Sequence, residues 1–218
     1  MDHCRRFPER CINGKLFLRG SKLMRFSVTA VALAAVFYLC GCAEPAVFSE
    51  ILQQKKDQKI YTRYNLWYTD PQNISCLNIQ QGSFIPVGTE IEPVGTSWWS
   101  DKITFKVVSS GAEYSIKFDS DYRLCSMREF IGYTFGTDDL QTMLKNQSEA
   151  AKLRIRRGEI TPGMDVNAVT MAYGPPPKCR TSDYKNASWI YWRTPVETFR
   201  VVFRNDKVSL ILNTGLGD

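Results

Sequence analysis

The chain has 218 residues, 44% of them apolar and 12% aromatic, with 28 Lys and Arg against 22 Asp and Glu. That is too apolar for a disordered chain and long enough for one domain or two small ones. The formal charge of +6 is uneven: seven cations and two acids precede residue 42, which leaves 21 against 20 in the remainder and removes the compositional case for nucleic-acid binding.

The first element is a leader. Lys22 and Arg25 precede a twelve-residue apolar run, Val28 to Leu39. A basic start followed by an apolar stretch of that length is a secretory signal, too short to span a bilayer. Met24 gives the signal ordinary proportions if translation begins there. The run closes on Leu39-Cys40-Gly41-Cys42, which resembles the bacterial lipobox. The resemblance implies cleavage before Cys42, lipidation of that residue with palmitate among its acyl chains, and anchorage at the envelope. Ala43 rather than Asp after the cysteine points to the outer membrane, facing the periplasm. Residues 1–41 are therefore set aside from the fold. Their removal would take away His3, the only histidine, and with it any Ser-His-Asp or Cys-His nucleophile system and any histidine-containing zinc site.

Residues 42–59 read as a lipidated tether, with the polar run Gln53-Gln54-Lys55-Lys56-Asp57-Gln58 lacking any sheet period. Residues 60–136 read as a β-rich module. Ile60, Thr62, Tyr64, Leu66 and Tyr68 alternate with Arg63 and Asn65, the period of a half-buried strand. Asp70-Pro71-Gln72-Asn73 is turn chemistry. A second strand covers Glu90–Val94 and is expected to end at Gly95. Ile103–Val107 and Tyr114–Phe118 flank the turn Ser109-Ser110-Gly111. Short strands at this spacing suggest an SH3-like barrel or a curled sheet.

Residues 137–218 read as helix, helix and three strands. One imperfect helical stripe runs from Asp138 to Arg157 and stops at Gly158. Asp165 is an N-cap for a shorter helix that Gly174 and Pro175-Pro176-Pro177 end. Strands follow at Trp189–Trp192, Thr198–Phe203 and Val208–Leu212, the last two joined by a tight turn at Asn205-Asp206. The expected class is α+β: a small β-rich, barrel-like module followed by two helices packed on a three-stranded antiparallel sheet.

The segment Gly158-Glu159-Ile160-Thr161-Pro162-Gly163-Met164, Val169 and Tyr173-Gly174-Pro175-Pro176 resembles the SmpA/OmlA (BamE) lipoprotein family. There a Gly-Met precedes a short helix that ends in Leu-Gly-x-Pro, and an aromatic strand and a hairpin follow. Here those are Trp189–Trp192 and Phe203-Arg204-Asn205-Asp206-Lys207-Val208. The match covers about residues 138–213. It implies a helices-on-sheet fold, an envelope protein as partner and a role in envelope assembly. The same architecture occurs in β-lactamase-inhibitor proteins.

Candidate sites are surfaces rather than catalytic sets. No catalytic residue, cofactor or metal site is expected. Arg154 and Arg157 crowd a helix C-terminus, where cations also favour the helix dipole by about 0.3–1 kcal/mol. Arg200 and Arg204 offer a partner surface on the sheet. Trp98 and Trp99 at a hairpin tip could stack on cell-wall glycan or rest at a lipid interface, although packing over the barrel end is the simpler reading. Cys76 and Cys125, separated by 48 residues in the β-rich part, are the expected disulfide, worth about 3–4 kcal/mol by chain entropy, with Cys179 left free. The expected function is a non-catalytic interaction module. A peptidoglycan-binding lipoprotein is the alternative.

Overall fold

The alternation of the first half produces strands, and their twist curls the sheet. The computed structural model describes residues 45–97 and 100–214, all within one compact unit, Cys42–Asp218. Its first sheet is built from Ile60–Thr62 (β1), Ile74–Ser75 (β3), Glu90–Ser97 (β5), Lys102–Val107 (β6), Glu113–Lys117 (β7) and Phe135–Gly136 (β8). The order is β3-β7-β6-β5-β1-β8, antiparallel except for the β3–β7 pair, and the sheet closes into a half-barrel. Leu66–Tyr68 (β2) and Ser83–Ile85 (β4) form a separate ribbon. In β6, Ile103, Phe105 and Val107 are buried while Lys102, Thr104 and Lys106 face outward, as period-2 patterning demands. Gly111 turns the β6–β7 hairpin with φ 69°. Gly95 does not end its strand: β5 continues to Ser97, and the register slips between Pro93 and Gly95, where proline has no N–H for the ladder.

The expected tether is partly structured. Pro45–Ile51 forms α1, and Phe48 is fully buried with its ring 5.5 Å from Phe135. Ile51 and Leu52 pack on the same core. Residues 48, 51 and 52 are one helix face, and burying Phe48 alone stabilises by about 1.5–3 kcal/mol. The polar run that follows is a turn, with Gln54 N–H donating to the Ser49 carbonyl at 2.9 Å.

Ser120–Arg123 (α2) and Met127–Thr134 (α3) lie between the strands, where no helix was expected. The second begins with a capping box: Ser126 Oγ accepts from the Glu129 N–H while the Glu129 carboxylate accepts from the Ser126 N–H. Met127, Phe130 and Ile131 then face the half-barrel core.

Leu140–Leu144 (α4), Glu149–Arg157 (α5) and Val166–Tyr173 (α6) are the later helices. The single helix expected over 138–157 is therefore broken. Asp139 caps α4 by accepting from the Thr142 N–H at 2.7 Å, and Ser148 caps α5 by accepting from the Ala151 N–H at 3.2 Å. Gly158 ends α5 in the left-handed region, and Asp165 caps α6 by accepting from the Ala168 N–H at 2.7 Å. Ser188–Trp192 (β9), Thr198–Arg204 (β10) and Lys207–Thr214 (β11) form an antiparallel sheet in the order β11-β10-β9. Asn205 and Asp206, at φ 52° and 59°, make the tight hairpin turn.

The structure is thus α+β, with a curled mixed sheet and a three-stranded antiparallel sheet under helices. The halves 60–136 and 137–218 have separate hydrophobic cores, but they interlock within one unit. Val87, from the loop after β4, is buried in the second core. A Cβ at Gly158 would lie 2.5 Å from the Trp67 ring, and one at Gly174 would lie 2.7 Å from the Tyr64 ring. Both glycines also have positive φ, so they end helices and admit aromatic rings from the other half.

Candidate functional site

Asn65 was expected on the outer face of its strand, yet it is fully buried between the two cores. Its amide nitrogen donates to the Ile155 carbonyl at 2.7 Å, and its side-chain oxygen accepts from the Val87 N–H at 2.8 Å. Asn78 fastens the same seam, donating to the carbonyls of Asn65 and Tyr173 at 2.9 and 2.8 Å. Arg123 is buried as well, 3% exposed. Its Nε donates to the Cys76 carbonyl at 2.6 Å, its Nη1 to the Pro175 carbonyl at 2.9 Å, and its guanidinium lies over the Phe130 ring. No carboxylate pairs with it among the described residues. These polar groups hold the halves together; they form no reacting set.

The expected Cys76–Cys125 bridge is not formed. Cys76, Cys125 and Cys179 are all free thiols. Cys76 is packed in the half-barrel core with Sγ turned to the Asp119 carbonyl at 4.0 Å, whereas Cys125 is half-buried at the core's margin. Burial pushes all three thiols above their ordinary range, against the opposing field of Arg123. They are therefore protonated and poor nucleophiles.

The four arginines fall on two separate surfaces. Arg154 and Arg157 occupy the last turn of α5, whose buried face, Ala151 and Ile155, meets the inner side of the three-stranded sheet. Arg154 is already paired with Glu159, and Arg157 is exposed. Arg200 and Arg204 lie on the outer side of β10. Arg200 donates to Ser188 Oγ at 3.1 Å, and Arg204 is exposed.

The register explains that outer side. Trp189, Tyr191, Phe199, Val201 and Phe203 point into the core. Their neighbours must then point out: Ile190 and Trp192 from β9, Arg200, Val202 and Arg204 from β10. On β11 a bulge opposite Val202 keeps Leu210 and Leu212 outside, 49% and 41% exposed. An aliphatic strip flanked by arginines results, with Arg180 stacked over Trp192 at 5.5 Å on one flank. Cys42, Trp98 and Trp99 lie outside the described residues.

A groove that the sequence did not announce runs beside α6. One lobe, about 510 Å³, is bounded by Arg63, Tyr64 and Tyr133 from the first half and by Asn146, Asn167 and Tyr184 from the second, among others. The other lobe, about 630 Å³, shares Val166, Asn167, Tyr184 and Trp189 and continues to Asn205 and Asp206. Burial pushes the Tyr184 hydroxyl up to about 12, so it is a neutral donor throughout the physiological range. No sequence signal marks this groove: Asp183-Tyr184-Lys185-Asn186-Ala187 by itself reads as a loop. Among the described residues no cluster of three or more His, Cys, Asp or Glu could hold a metal, and no helix is long and apolar enough to cross a membrane. Comparisons with family models, curated proteins and solved structures found no match.

Proposed function

We propose that this chain is a lipid-anchored, non-catalytic envelope protein that docks another envelope protein through the outer face of its C-terminal sheet. The observation that carries the reading is the exposure of Leu210 and Leu212 on a face that also holds Arg200 and Arg204. An aliphatic strip bordered by guanidinium groups suits a partner surface that is apolar at its centre and acidic at its rim. On this reading the part over about residues 138–213 is an SmpA/OmlA-like module, Cys42 is the lipidated residue, and the outer membrane is the site of anchorage. A peptidoglycan-binding role for Trp98 and Trp99 is the second reading within the same anchored protein.

Two experiments test this reading. Cys42→Ser should yield an unprocessed precursor that takes up no labelled palmitate; continued labelling refutes the anchor. The double variant Leu210→Asp/Leu212→Asp should keep its melting temperature and lose co-purification with its envelope partner. Undiminished co-purification refutes the docking face.

A further inference from the structure

The groove beside α6 has a chemistry of its own. Asn146, Asn167, Asn186 and Asn205 border it, all exposed, and none makes a side-chain hydrogen bond to another described residue. Gln147 adds a fifth amide, tied only to Asp165 at 3.4 Å. Each amide offers two donors and an acceptor at the end of a short arm. Between them stand aromatic rings with accessible surface: Tyr133, 37% exposed, and Tyr184, half-buried with the Lys178 ammonium 6.0 Å from its ring centre. Arg63 closes one end. Its Nη1 donates to the Gly132 carbonyl at 3.1 Å, the residue is exposed, and no carboxylate pairs with it among the described residues.

We propose that this groove is a glycan-binding site for a carboxylate-bearing amino-sugar strand. Amides match the paired hydroxyls and acetamido groups of such sugars, because both partners present a donor and an acceptor side by side. The flat C–H face of a pyranose is apolar and lies on a tyrosine ring as an aromatic partner would. Two connected lobes suit a strand that passes through better than a compact molecule that is enclosed. Arg63 takes the carboxylate through a charge-assisted pair at the end that carries no acid, while Asp165 and Asp206 lie in the other lobe. The strand therefore has a polarity in the groove, with its charged substituent toward the half-barrel. The site is distinct from the outer sheet face. The choice of a cell-wall polymer as the strand rests on the envelope reading, whereas the site itself does not.

Isothermal titration of the full-length protein with purified muropeptide oligomers, and in parallel with uncharged chitotetraose, decides the question. Asn167→Ala and Tyr133→Ala alter exposed positions, and each should weaken both ligands about tenfold with the melting temperature held. Arg63→Gln should weaken the muropeptide by a similar factor and leave chitotetraose unchanged. The inference fails if the wild-type protein binds neither glycan, or if Asn167→Ala binds as tightly as wild type. An equal effect of Arg63→Gln on both ligands refutes the carboxylate contact. Failure of palmitate labelling at Cys42 would overturn the envelope reading without touching these measurements.

Discussion

The two halves of this molecule solve the burial of a sheet in opposite ways. The half-barrel curls around its own core and is plugged by helices: Phe48 from α1 and Phe130 and Ile131 from α3 are essentially removed from solvent. Among the described residues, helices cover one side of the C-terminal sheet, and the β11 part of the other side is open. Helices α5 and α6 lie on Trp189, Tyr191 and Val201, while Leu210 and Leu212 on the other side stay in water. A curled sheet plugged by helices buries its apolar residues for its own stability, whereas a sheet face left open leaves them for a partner. Under the docking proposal, interaction belongs to the second half and support to the first.

The comparison breaks most readily at the seam. Gly174→Val would force a β-branched residue to φ 75° and drive its Cβ into the Tyr64 ring. A loss of about 4 kcal/mol or more is expected, with both halves unfolding in a single transition by circular dichroism and tryptophan fluorescence. Two separate transitions would show that the halves are independent. Asn65→Ala is expected to cost about 2–3 kcal/mol in chemical denaturation, because it strips the Val87 N–H of its partner inside the seam.

Asp165→Ala acts within the second half alone. It removes the acceptor for the Ala168 N–H, and about 1 kcal/mol should be lost. The smallest effects belong to the surfaces. Charge reversal at Arg157 or Arg204, both exposed, should change stability by less than about 0.5 kcal/mol. Co-purification should nevertheless drop for Arg204→Glu and not for Arg157→Glu, because only Arg204 shares the open face.

Local signals carried much of the fold. Asp165, Gly158 and the Asn205-Asp206 turn act through their nearest neighbours, and each is found in its expected role. The Ser126–Glu129 capping box is an equally local signal. The break between α4 and α5 was hidden because Leu140, Leu144, Ala151 and Ile155 all belong near one core, and the apolar stripe spans the gap. Asn65 could not be read from alternation, since its burial depends on carbonyl and amide groups far along the chain. Nor could the open face be read from β11 alone, where apolar residues on both sides look like a fully buried strand until the bulge and the exposure of Leu210 and Leu212 are known. The groove depends on residues from both halves and has no sequence motif of its own.

The most direct test places a photo-activated crosslinking residue at position 212 and, as a control, at position 70, an exposed turn of the half-barrel. Irradiation of intact cells should give a discrete protein adduct from position 212 that disappears when Arg200→Glu is added, and none from position 70. Matching adducts from both positions, or no adduct from position 212, would contradict a docking role for the open sheet face.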